Sequence, residues 1–330
     1  MTWRDRGGWV HKLFLPAMPP SSTPLPDDTS PSPGGAEGIF RYTGSEPLPA
    51  ATLRAAMAAG QDIEVHPASP EAEPIRVEGE LDASSLTIKG RVRLHGVRFE
   101  GFVNLRDARF EKETDFSRCE FSAGISLRGA RVEGSLNFEE TVFESERGEV
   151  DATGLRVEGM LIYAATRFGL EEKPVSLLLN NARIGEDLFF SCARVFGDIG
   201  LSGADIAGDF YLFHTFADYP RTWIGGDLIA WGCHVGGQTL AMGIRIEGNT
   251  NFASARLDGI VNFGINPVDA EPAHLGRTTK PGVPGQAVLH LAFAVIGGTV
   301  VLSGARLEGQ LNLTRAVLKG GLSCRAEGGR

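Results

Sequence analysis

The residues able to do chemistry do not gather into a recognisable set. A dinucleotide-binding oxidoreductase needs a strand, a GxGxxG turn and a helix, and no such unit is present because the glycines recur at a fixed spacing instead. A zinc or iron site needs three or four convergent ligands. His214, Cys233 and His234 are close in sequence, with Cys192 further back, but Cys233 occupies a position expected to point inward. Carboxylates are plentiful on an exposed ladder, without the desolvation that tunes a catalytic pair. No Ser-His-Asp set can be assembled. The expectation is a non-catalytic chain with no cofactor and no metal. Cys119, Cys192, Cys233 and Cys324 show no CxxC spacing, which predicts buried free thiols suited to a reducing cytosol.

The positioning elements are read from a repeat. The phrase Ala130-Arg-Val-Glu-Gly-Ser-Leu-Asn-Phe-Glu-Glu140 returns at Ala108, Ala193, Ala204, Ala255 and Ala305. Twenty such units, beginning at Ile75 and ending with the unit at Ala316, cover 75–326. Positions 1, 3, 7 and 9 are mostly apolar and positions 2 and 8 mostly polar, the alternation of strands. Position 5 is usually glycine, read as a tight corner, and positions 10–11 are turn-like. Short strands separated by corners imply a parallel β-helix in which each coil bonds to the next.

Alternate units differ, so a coil is two units, or 22 residues. That period stacks Phe99, Phe121, Phe143 and Phe168 as one ladder and Phe116, Phe138, Tyr163 and Phe190 as another. The fold class is all-β, with about ten coils and a rod about 48 Å long at the usual strand spacing.

These inward apolar residues, the small residue at position 1 and the four-sided coil resemble the pentapeptide-repeat proteins. That resemblance implies a right-handed quadrilateral β-helix (a solenoid). The phrases Leu201-Ser-Gly-Ala-Asp-Ile-Ala-Gly208 and Leu302-Ser-Gly-Ala-Arg-Leu-Glu-Gly309 look like those of actinobacterial relatives labelled "membrane-associated oxidoreductase". The label implies an alternative: an oxidoreductase-like enzyme or small-molecule-binding rod, with its pocket under loops 218–227 and 269–288. Some pentapeptide-repeat proteins are thought to mimic duplex DNA and bind topoisomerase. A mimic needs rows of acid without neutralising arginine, and the arginines at position 2 (Arg98, Arg109, Arg131) count against that use.

The chain has 330 residues and a net charge of −9, which argues against direct nucleic-acid or anionic-membrane binding. Residues 1–47, rich in Pro, Ser and Gly, read as a disordered tail. Residues 48–74 read as a cap, with a short helix from Pro49 to Ala59 and a strand at Ile63–Val65. The β-helix fills 75–326 and 327–330 trail from it. No stretch is long and apolar enough for a transmembrane segment. The expected location is cytoplasmic, with peripheral membrane association as the alternative.

Position 8 should face outward, yet it turns apolar at Ile162, Leu178, Phe189, Tyr211, Ile229 and Leu240, with Phe213, Trp231 and Met242 at position 10. Four insertions, at 144–149, 169–176, 218–227 and 269–288, are expected to leave one corner of the rod. The third brings Phe216, Tyr219 and Trp223. Contiguous exposed apolar surface marks interfaces, so these twelve residues are the candidate interaction surface. The expected function is a protein-interaction or self-assembly scaffold. Its partner is another protein, or a second copy held through the apolar mid-section or the C-terminal end.

Overall fold

A computed structural model describes residues 38–69, 71–214, 219–276 and 287–325. The chain winds into a right-handed parallel solenoid of about twelve turns. Its four sheets, A to D, hold twelve, eleven, ten and ten strands among the described residues. Each coil visits B, C, D and A in turn, as in Val97–Phe99, Val103–Asn104, Arg109–Phe110 and Thr114–Asp115. Sheets A and C are therefore opposite faces, as are B and D. The register is the expected 22 residues: Arg109 pairs with Arg131, and Phe121 with Phe143.

Both aromatic ladders form. Phe99, Phe121, Phe143 and Phe168 stack with centroids 5.0, 5.3 and 4.6 Å apart. Phe116, Phe138, Tyr163 and Phe190 stack at 5.4, 5.3 and 5.1 Å. The two ladders meet edge to face, Phe138 against Phe143 at 5.3 Å. Every ring is buried, so each adds its full apolar area and a favourable ring geometry to the core.

The corners obey two different rules. Position 11 is the left-handed one: Asp107, Arg118, Gly129, Glu140 and Gly154 all have φ between 55° and 71°. Position 5 needs glycine for another reason than the tight turn expected. A Cβ on Gly259 would lie 2.4 Å from the Gly237 carbonyl oxygen one coil below, and one on Gly134 would lie 2.9 Å from the Glu113 nitrogen. Close stacking of backbones, not backbone conformation, selects the residue.

The expectation of ten coils is corrected at the N-terminus. Ile39–Tyr42 lies inside the stretch read as a tail, yet it pairs in parallel with Asp62–Val65 and starts sheet A. Leu48–Pro49 starts sheet B against Val77–Glu78. The helix α1, Ala50–Ala58, follows in place of further strands. It buries Leu53, Ala56 and Met57 and packs against the first strands of sheets C and D. A helix has no free sheet edge, so α1 closes this end of the core. Residues 1–37 and 326–330 lie outside the described residues. At the far end the inward Leu307, Leu311, Leu313 and Leu318 are only partly buried and Leu322 is exposed.

The insertions are corrected too. Thr222, not Thr215, begins the regular unit: its Oγ1 donates to the Phe190 carbonyl at 3.1 Å and accepts from the Cys192 N–H at 2.9 Å. Trp223–Ile224 then enters sheet B beside Arg194–Val195. The third insertion thus falls between His214 and Thr222, at the corner between A and B, with 215–218 outside the described residues. Similarly, His274–Leu275 enters sheet B beside Arg245–Ile246, which leaves 266–272 at the A–B corner; 277–286 lie outside the described residues. The first two insertions leave the B–C corner, after Phe143 and Phe168. The loops therefore emerge at two corners, and sheet B lies between them.

Candidate functional site

Sheet A carries a run of large side chains on its outer surface. Ile162, Phe189, Tyr211 and Leu240 are direct neighbours on successive strands. The same column reads Arg93, Asp115 and Asn137 before them and Asn262 after them. The Phe189 and Tyr211 rings stack at 4.6 Å and 4°. The Tyr211 hydroxyl donates to Asp209 at 2.8 Å; burial and this carboxylate hold its proton well above the usual tyrosine range.

The other candidate residues are distributed around the rod. Phe213 and Met242 sit at the A–B corner, both half-buried, with Phe213 6.2 Å from the Tyr211 ring. They extend the sheet A strip. Leu178 and Ile229 lie on sheet C, the opposite face, with Gly200 between them. Trp231 is 56% exposed at the C–D corner. Trp223 lies on sheet B. Tyr219 is half-buried in the A–B loop, and Phe216 lies outside the described residues. One continuous mid-section is thus resolved into one strip plus separate groups.

The A–B corner is held by polar contacts. His214 is buried; its Nδ1 accepts from Asn266 Nδ2 at 2.9 Å and its Nε2 faces Asp269 at 3.0 Å. Asn266 Nδ2 also donates to the His214 carbonyl at 3.0 Å. Both ring nitrogens are engaged, so this histidine anchors loop 266–272. His234 is on sheet D instead, between Asp205 at 2.8 Å and Asp258 at 3.0 Å; hydrogen bonds to these two carboxylates raise its pKa. Cys233 points inward, where burial pushes its thiol up to about 12. His214 and His234 therefore occupy different faces. Among the described residues no group of three or more His, Cys, Asp or Glu is placed to hold a metal ion, and no helix is long and apolar enough to cross a membrane.

The outward charge ladder forms ion pairs between coils. Arg76 meets Glu100 at 2.7 Å, Arg98 meets Glu120 at 2.5 Å, and Arg109 pairs with Glu133. All are at least partly open to solvent, which screens them, so they add little to stability. On the later coils of sheet B this pattern breaks. The column runs Arg167, Arg194, Trp223, Arg245, His274 and Arg306. Phe196 stands where Glu100 and Glu144 stand in earlier coils. Of this group only Trp223 is among the residues singled out from the sequence; Arg194 and Phe196 are not. Its available signal was the loss of glutamate at position 4 beside Arg194.

A family described as "Pentapeptide repeats (9 copies)" matches residues 87–145. That match and the four-sided solenoid together support a place among the repeat β-helix proteins. Searches of curated proteins and of solved structures gave no match.

Proposed function

We propose that this chain is a non-catalytic scaffold that binds a protein partner through the sheet A strip. The docking surface is Ile162, Phe189, Tyr211 and Leu240, continued round the corner by Phe213 and Met242. The observation that supports this reading is the substitution of four adjacent polar positions by large apolar ones in one column of one flat sheet. A parallel solenoid keeps such a column straight and rigid, so little order is lost on binding. Aromatic residues centred in a polar rim are also the usual anchors of interfaces.

The test is a double variant, Phe189→Glu with Tyr211→Glu, in the full chain. The expected result is loss of complexes recovered by cross-linking in the native host, and loss of any self-association seen by light scattering. The circular dichroism and the unfolding midpoint should stay near those of the parent. Trp231→Glu, on another corner, serves as the control and should retain the complexes. Recovery of the same complexes by the double variant would sink the proposal.

A further inference from the structure

Sheet B carries an arginine whose setting differs from that of its neighbours. Arg76, Arg98 and Arg245 each have a carboxylate within 2.7 Å. Arg194 is half-buried, and among the described residues no carboxylate lies within ion-pair distance of it. Its Nε is shielded from solvent and has no hydrogen-bond acceptor. Two rings take the place of the carboxylate: the Arg194 Cζ lies 5.5 Å from the Phe196 centroid and 5.6 Å from that of Trp223. A ring face attracts a guanidinium charge but satisfies none of its five in-plane N–H donors.

The surroundings are fixed in place. Phe196 and Trp223 meet edge to face at 4.9 Å and 64°. Trp223 Nε1 donates to Glu247 Oε1 at 3.3 Å, and the same oxygen accepts from Arg245 at 2.5 Å. Gly225 lets the indole lie down on its own strand, since a Cβ there would fall 2.6 Å from a ring carbon. Arg167 is the register neighbour of Arg194. It meets Glu144 only at 3.8 Å and donates to the Gly169 carbonyl at 3.4 Å. Two cations thus stand side by side at strand spacing, and the one distant carboxylate, Glu144, is within ion-pair reach of Arg167 alone. That arrangement costs like-charge repulsion unless an anion lies between them.

We propose that Arg194, backed by Phe196 and Trp223 and assisted by Arg167, is a binding site for an oxyanion, carboxylate or phosphate, borne on a flat apolar group. The guanidinium fork binds the oxyanion with two parallel charge-assisted hydrogen bonds. Trp223 receives the apolar group beside it. The site is on the face next to the sheet A strip and does not depend on it.

The test titrates the full chain with phenyl phosphate and with phenylacetate, followed by calorimetry and tryptophan fluorescence. Saturable binding of at least one probe is expected. Arg194→Leu should weaken it about tenfold or more, the worth of one charge-assisted contact, while Arg306→Leu, on the same sheet, leaves it unchanged. Arg194→Lys keeps the stem and the charge but loses the fork, and should also weaken binding several-fold. Preference between the probes identifies the oxyanion as phosphate or carboxylate. The proposal is overturned if neither probe binds, if Arg194→Lys binds like the parent, or if Arg194→Leu and Arg306→Leu weaken binding equally.

Discussion

Asn266 reaches back across a whole coil to His214, 52 residues earlier, and donates to both its Nδ1 at 2.9 Å and its carbonyl at 3.0 Å. The coil it crosses carries glycine at the crossing: a Cβ on Gly243 would sit 2.7 Å from Asn266 Cβ. Both residues of the pair are buried. Removing the amide leaves two buried acceptors unmet, which costs about 1–3 kcal/mol for each group. Asn266→Ala should therefore free loop 266–272 without melting the ladders. Hydrogen exchange read by mass spectrometry should show faster exchange in 266–272 and unchanged protection in 97–190. Uniform loss of protection would mean that the pair holds the whole rod and not one loop.

Phe143 sits where the two aromatic ladders are densest, with Phe168 at 4.6 Å and Phe121 and Phe138 both at 5.3 Å. Phe143→Ala should lower stability by about 3–5 kcal/mol, the usual cost of a large aromatic cavity. Urea unfolding checks this. Because a solenoid is joined only through neighbouring coils, the loss should also split the transition into two phases. A change under about 1 kcal/mol would show that the coils relax to close the gap.

The two glycine corners should respond differently to alanine. At Gly232 the backbone is left-handed, with φ +62°, but no atom lies within 4 Å of an added Cβ. Gly232→Ala should cost about 1 kcal/mol of backbone strain. At Gly259 the added carbon meets the Gly237 backbone at 2.4 Å, which only a shift of two strands relieves. Gly259→Ala should cost about 3 kcal/mol or more. Thermal melts of the two variants measured side by side decide the order, and equal losses would contradict the stacking explanation.

Glu139, at the A–B corner, has its pKa raised to about 7 by burial and by the neighbouring Glu140 and Asp115, with Arg118 opposing. Burial, together with the Glu140 and Glu139 charges, raises the pKa of Tyr219 in the corner loop as well. The folded state holds this proton more tightly than the unfolded chain does. The associated stability is fully present below the ordinary glutamate pKa and is lost as pH rises through about 7. Glu139→Gln removes the dependence. It should be more stable than the parent at about pH 8, by on the order of 2 kcal/mol, and equal to it at about pH 4. Unfolding midpoints at the two pH values test the sign.

The sequence by itself determined the coil. Phenylalanines at a fixed 22-residue spacing can be buried together only if the strands stack in that register, and the ring ladders form accordingly. Small residues and outward arginines were legible for the same reason, since each is dictated by its own position in a repeating unit, and the cap helix at 50–58 was legible from its Ala-rich composition ahead of Gly60. The tertiary structure decided where the insertions leave. Thr215 and Thr222 both suit position 1 as residue types; only the stacking of Thr222 beneath Phe190 and Cys192 selects the second. That choice moves Trp223 from a loop into sheet B and sets it beside Arg194. The tertiary structure also separated one apolar run in the sequence into residues on opposite faces, Phe189 on sheet A and Leu178 on sheet C. Outward positions of consecutive units share a pattern but lie half a coil apart, so periodicity identifies them as outward without saying on which side of the rod they meet.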